Sequence, residues 1–191
     1  VTSADPAATA ARFGVEAILW TDVAALAAAV RTSALVLVGG GGLFHDQGRF
    51  TPGALLTPQH SGIAFYVAPA LLAALAGVPS MLYAVGVGPF RSAEAREFTR
   101  AAADLAAAIT VRDPESRDAL AALGVPDGRI EVTADPVYGF PATPPRPAVP
   151  PRLGVALRAW GGAGAAWERE AARGIDAFLG DTAAAAVFFP F

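Results

Sequence analysis

The sequence predicts an α/β protein with a doubly wound parallel sheet, and three observations predict it. Apolar, β-branched runs such as ALVLVGG (34–40) and SMLYAVGVG (80–88) alternate with Ala/Leu-rich stretches of helical length. The runs are continuous in their apolar character, as strands covered on both faces are. Helix start and stop residues fall at the ends of the intervening stretches.

The elements follow in order. After an alanine-rich opening, DVAALAAAVRTS (22–33) reads as a helix with Asp22 near its start, and the strand ALVLVGG follows. GIAFYVAPALLAALAG (62–77) has helical length and composition and ends at a glycine. The strand SMLYAVGVG, the helix SAEAREFTRAAADLAAA (92–108) and the strand AITVR (108–112) come next. In DPESRDALAALG (113–124), Asp113 is the expected N-cap, Pro114 the first helical residue and Gly124 the terminator. RIEVTAD (129–135) is the last strand of the series.

Residues 136–152 read PVYGFPATPPRPAVPPR, with seven prolines. Proline lacks the amide donor and fixes φ, so this run is a semi-rigid extended linker. It separates an N-terminal Rossmann-like α/β domain (1–135), whose first strand is expected to lie ahead of Val1, from a C-terminal α/β domain that starts at 153 and runs to 191. RLGVALRAW (152–160), a helix near 164–180 and AAAVFFPF (184–191) restart the strand–helix–strand pattern there. The chain opens without Met and stops on an apolar run, so both ends read as cut from a longer protein. Two such domains form a cleft between the carboxyl ends of their strands.

Composition narrows the chemistry. Net charge is −3 without a basic run, so the footprint of a nucleic-acid binder is absent. Lysine does not occur: all 14 cationic residues are arginine, and anion recognition falls to Arg, backbone N–H groups or the two histidines. The absence of cysteine excludes disulfides, thiolate metal sites and a Cys nucleophile, and is compatible with the cytoplasm. Residues 61–90 carry no Asp, Glu, Lys or Arg, but Pro69, Gly77 and Pro79 interrupt the run. A bilayer span needs about 20 consecutive apolar residues, so none is expected.

In open α/β sheets, functional residues collect just past the carboxyl ends of strands. Those positions hold Gly39, Gly40, Gly41 and Gly42, then His45 and Asp46; Gly86 and Gly88; Arg112, Asp113 and Ser116; Asp135; and Arg158 in the second domain. The four glycines are no dinucleotide fingerprint, since no helix opens directly after them and no Asp or Glu occurs between 47 and 90. They make either a tight turn or a loop where a ligand's charged group sits against peptide N–H groups. Arg112 stands one residue ahead of a helix N-cap, where its fork can meet a carboxylate or phosphate through two hydrogen bonds. A salt bridge to a neighbouring carboxylate is the alternative.

Asp113 and Ser116 read first as caps, and Asp135 as a strand terminator or an orienting partner of Arg112. His45 and His60 are the two side chains suited to proton transfer near neutrality, and His45 with Asp46 are the candidate catalytic residues. No metal site is expected.

Taken in order, VTSADPAAT, ALVLVGGGGLFHD, FYVAPALLAALAGVPSMLYAVGVGPF, ITVRDPESRDALAALGV, IEVTADPVY and LGVALRAW resemble the polysaccharide pyruvyl transferase family. The branch that pyruvylates bacterial cell-wall polymers is the most similar. G-G-G-L-x-x-D, G-x-G-P, V-R-D-x-x-S and T-A-D-P occur together, and the resemblance covers nearly the whole chain.

The resemblance implies a glycosyltransferase-B-like architecture with the second domain truncated here. It implies transfer of the pyruvyl group of phosphoenolpyruvate, as a ketal, onto a sugar, commonly an N-acetylmannosamine residue of a lipid-linked glycan precursor. In Gram-positive relatives that ketal anchors surface-layer proteins. No metal or nucleotide cofactor is implied, and the enzyme would be cytoplasmic, at the inner face of the membrane as a peripheral protein. Arg112 matches the V-R-D arginine and would clamp the donor anion, while the glycine-loop N–H groups would hold an anion or the sugar's acyl group. Phe44 and His45 stand where relatives commonly have Leu and Gln. The family's acid–base histidine and further donor-binding basic residues would lie beyond Phe191, so the chain as given is expected to be inactive.

Two other classes stay open on sequence alone. A nucleotide-sugar glycosyltransferase of the same architecture would bind a uridine or guanosine diphosphate and ignore phosphoenolpyruvate. In a non-catalytic relative, Arg112→Ala would alter stability alone. The oligomeric state has no sequence signal.

Overall fold

The structure, a computed structural model, describes residues 1–47, 50–59, 62–142, 144, 149–157 and 164–189. It comprises two compact units, Val1–Phe140 and Pro141–Phe191, and the boundary falls inside the proline-rich run.

The first unit runs β1 (Thr2–Ser3), α1 (Pro6–Phe13), β2 (Ile18–Leu19), α2 (Val23–Arg31), β3 (Val36–Phe44), α3 (Ile63–Ala76), β4 (Ser80–Val87), α4 (Ala93–Leu105), β5 (Ala108–Val111), α5 (Pro114–Ala122) and β6 (Ile130–Val132). Strands β3, β4, β5 and β6 pair in that order, all parallel, and β1 pairs with β2. This is the parallel α/β class that the sequence predicts. The short β1, α1 and β2 lie in the alanine-rich opening, which carries no strand signal of its own.

Side-chain caps start the helices. Asp5, Asp22, Ser92 and Asp113 each accept from the backbone N–H three residues on. Each such cap is worth about 1 kcal/mol. Gly77, at φ +68°, ends α3 as expected of a glycine there.

Register builds the core. Val38, Leu82, Ile109 and Ile130 are partners across the four strands and share one face. Ile63 and Val67 of α3, Ala102 of α4 and Leu120 of α5 close over them in one apolar cluster. Each large aliphatic side chain buried this way contributes roughly 1.5–3 kcal/mol. Strands that advance in one direction through crossovers of one hand receive their helices on one side. Helices α3, α4 and α5 thus cover one face of these four strands, while on the other Leu37 is 57% and Tyr83 42% exposed.

Strand β3 departs from the expected 34–40 by running through all four glycines to Phe44. Gly39, Gly41 and Gly42 pair with Tyr83, Val85 and Gly86. The backbones approach so closely that a Cβ on Gly39 would run into the Tyr83 carbonyl oxygen. Within this stretch Gly40 and Gly41 turn to φ +83° and +98°, and Ala84 on β4 to φ +47°. The register between β4 and β5 shifts at the same place, and the Ala84 N–H donates to Thr110 Oγ1 at 2.7 Å. A side-chain hydroxyl thus replaces the ladder acceptor that the bulge removes.

In the second unit β7 (Arg152–Val155) and β8 (Ala185–Phe188) pair in parallel around α6 (Ala165–Gly180).

Candidate functional site at the carboxyl ends of the sheet

Strands β3, β4, β5 and β6 end at Phe44, Val87, Val111 and Val132; His45, Asp46, Gly88, Arg112, Asp113, Ser116 and Asp135 follow these ends, whereas Gly39, Gly40, Gly41 and Gly42 lie within β3 and Gly86 within β4. Arg112 follows β5 directly. Its backbone N–H donates to the Val85 carbonyl at 3.3 Å, which keeps the residue against β4. Its side chain crosses β4 toward β3 over two glycines: Nε lies 2.9 Å from where a Cβ on Gly86 would stand, and Nη2 3.3 Å from one on Gly42. The absence of side chains at these two positions admits the guanidinium.

Two carboxylates hold it there. Asp113 Oδ2 accepts from Nε at 3.3 Å, and Asp135 Oδ2 accepts from Nη1 at 3.1 Å. Nη2 has no hydrogen-bond partner among the described residues. The neighbouring-carboxylate pairing anticipated for Arg112 is thus present twice over, and one corner of the fork stays open.

Each carboxylate also does a second task. Asp113 Oδ1 accepts from the Ser116 N–H at 2.7 Å, so one group both caps α5 and grips Arg112. Burial pushes the Asp113 carboxyl up, but hydrogen bonds from Ser116 and the charge of Arg112 outweigh it, and the net shift is downward. Asp135 Oδ1 accepts from the Val137 N–H at 3.1 Å and caps a 3-10 turn, Pro136–Gly139. Ser116, buried, accepts at Oγ from the Val87 N–H at 2.9 Å and ties α5 to the tip of β4.

Asp46 takes a different direction. It is buried, and its oxygens accept from the Arg91 N–H at 2.6 Å, the Ser92 N–H at 2.7 Å and the Ser92 hydroxyl at 2.7 Å. Burial raises its pKa, the Ser92 hydroxyl and the two backbone donors lower it, and the net shift is downward. The carboxylate lies at the positive end of the α4 dipole and binds the β3 tip to that helix. His45, half-buried, accepts at Nδ1 from the Gln47 N–H at 3.4 Å. Gly88 donates to the Phe44 carbonyl at 2.7 Å, and a Cβ on Gly40 or Gly41 would meet nothing within 4 Å. Arg158 and His60 lie outside the described residues.

Sequence reasoning passed over the Asp46–Ser92 tie and the Thr110 acceptor. Ser92 is visible as a cap ahead of A-E-A, but its partner is 46 residues away and leaves no local pattern. Among the described residues, no group of three or more His, Cys, Asp or Glu could hold a metal ion, and no helix is long and apolar enough to cross a membrane.

The family model for polysaccharide pyruvyl transferases matches residues 7–191. The chain belongs to this family. No curated protein and no solved structure matches it. The pyruvyl transferase is therefore an enzyme whose acceptor is a glycan, and the G-G-G-L-x-x-D, G-x-G-P and V-R-D segments that carry the resemblance supply Gly42, Gly86 and Arg112 to one cluster. In this transferase the arginine is positioned before any ligand arrives, since its neighbours already fix two of its three nitrogens.

Proposed function

We propose that this transferase takes its pyruvyl group from phosphoenolpyruvate and installs it, as a ketal, on an N-acetylmannosamine-type sugar of a cell-wall polysaccharide precursor. The observation that carries the reading is the Arg112 guanidinium seated on Gly42 and Gly86, with Nη2 unbonded among the described residues. The donor presents a carboxylate and a phosphate as substituents of one carbon, C2, and a planar fork is the side chain that meets such oxygens directionally. Asp113 and Asp135 outnumber the one guanidinium, so Arg112 acts as an oriented hydrogen-bond donor and not as a source of net positive field. The bare backbone at Gly40 and Gly41 supports the reading by letting an anion approach peptide N–H groups.

The chemistry balances without a redox step. C3 of the donor gains a proton and C2 becomes electrophilic. One sugar hydroxyl attacks C2, phosphate departs with the C–O electron pair, and a second hydroxyl closes the ketal. The two hydroxyl protons account for the new methyl hydrogen and for the protonated phosphate. His45, which follows β3 directly, is the imidazole available for proton transfer in this scheme. No metal or nucleotide cofactor enters the reading. A lipid-linked acceptor places the enzyme at the cytoplasmic face of the membrane as a peripheral protein.

The test is phosphate release from phosphoenolpyruvate by the intact protein, with and without a glycan that contains N-acetylmannosamine. Release that requires the glycan and collapses in Arg112→Ala is the expected result. Absence of release beside tight binding of a nucleoside diphosphate would replace this reading with nucleotide-sugar glycosyl transfer.

A further inference from the structure

We infer that Tyr138 is the platform on which the ring of the acceptor sugar lies; this rests on the proposed pyruvyl transfer at Arg112 and assigns that site its second substrate. The starting observation is a surface aromatic in an unusual place. Tyr138 is 82% exposed, on the 3-10 turn that follows the last strand of the sheet. Tyrosine joins an apolar ring face to a hydrogen-bonding hydroxyl, the combination for which it is enriched at binding surfaces.

The backbone that carries that ring is fixed by its own turn. Pro136 fixes φ at its first position, and Asp135 caps it through Oδ1 to the Val137 N–H at 3.1 Å. The Tyr138 N–H donates to the Asp135 carbonyl at 3.0 Å, and the Phe140 N–H closes the turn on Val137 at 3.1 Å. A tyrosine on a pre-ordered backbone has two side-chain torsions left to fix, so little entropy is lost when a ligand covers it.

Asp135 connects the turn to the donor side. Its other carboxylate oxygen accepts from Arg112 Nη1 at 3.1 Å, so one residue bonds both to the arginine and to the aromatic turn. The family's acceptor is a glycan. A pyranose offers an apolar face of C–H groups and a rim of hydroxyls, which an aromatic face with a phenol at its edge matches. A sugar laid on Tyr138 is thereby held at the same end of the sheet as the arginine that would orient the donor. Phe140, 75% exposed, is not chosen, because it is the last residue of its unit and borders the boundary at Pro141.

The experiment titrates the intact protein with the methyl glycoside of an N-acetylmannosamine-containing disaccharide, followed by saturation-transfer NMR in the absence of donor. The same proteins are then assayed for phosphate release from phosphoenolpyruvate. Tyr138→Ala is expected to weaken glycan binding and raise the KM for the glycan by about three- to tenfold. The KM for phosphoenolpyruvate and the melting temperature are expected to stay as in the parent, and Tyr138→Phe to retain binding. Glycan affinity unchanged in Tyr138→Ala overturns the inference, as does a parent protein that binds no glycan. Weakened glycan binding in Tyr138→Ala, beside a parent that releases no phosphate, would leave the platform standing and remove phosphoenolpyruvate as donor.

Discussion

The guanidinium of Arg112 fills the space that a side chain on Gly86 would need, with Nε 2.9 Å from the position of the absent Cβ. The same Cβ would stand 2.9 Å from Gly42 Cα on the neighbouring strand, so the backbone offers no escape on that side. Gly86→Ala is expected to push the arginine off its seat and to cost about 1–3 kcal/mol in stability through overpacking. Misplacing an orienting group costs on the order of a hundredfold in rate. Urea unfolding together with glycan-dependent phosphate release checks both; an unchanged rate would show that the seat is not what matters.

Arg112→Lys separates charge from shape. Lysine keeps the cation but cannot satisfy Asp113 and Asp135 together while also presenting a third donor in plane. We expect transfer to fall by about a hundredfold or more with the fold intact, as for loss of an oriented charge-assisted donor. Near-parental turnover in the lysine variant would reduce Arg112 to a simple counter-charge.

Acid should act through Asp46. Its carboxyl is held below the ordinary range in the folded protein, so its contribution is complete above the unfolded carboxyl value of about 4. That contribution is lost as pH falls from there through the lowered folded value. Asp46→Asn, which turns an amide NH₂ toward one of the three donors, is expected to cost about 1–3 kcal/mol at neutral pH and to flatten the acid limb of the stability profile. Denaturant melts from pH 7 to pH 3 on both proteins measure this directly. Parallel acid limbs would place the acid sensitivity elsewhere, with Asp113 the next group to vary.

Thr110→Val isolates the bulge in β4. Valine has nearly the same shape but leaves the buried Ala84 N–H without its acceptor, which costs about 1–3 kcal/mol. Thr110→Ser restores the oxygen and should recover most of that loss. Equal stability for valine and serine would mean that the hydroxyl is dispensable.

The parts of the fold that were legible from sequence are those encoded locally. Asp22, Asp113 and Gly77 announce their helix ends because a cap is chosen by neighbours three or four residues away. The strand was legible as far as Gly40 but not through Gly41 and Gly42 to Phe44, because glycine carries no side-chain period; the pairing of Gly39, Gly41 and Gly42 with Tyr83, Val85 and Gly86 depends on a second strand 44 residues on. Arg112, Asp113 and Asp135 stood out as strand-end residues, and their mutual bonding could be posed as an alternative. Asp46 could not be read as the partner of Ser92, nor Thr110 as an acceptor for Ala84, since both relations exist in three dimensions and in no sequence window.

The spatial order of β3, β4, β5 and β6 is also their order along the chain. Each strand delivered by the ribosome therefore adds to the free edge left by the one before, and no later strand has to be threaded between two earlier ones. The arginine emerges with Asp113 directly behind it, but Asp135 arrives 23 residues later, with the final edge. A nascent chain thus pairs these four strands before it completes the bonds that hold Arg112, and chains released before Asp135 would be folded in part yet unable to hold the arginine in place.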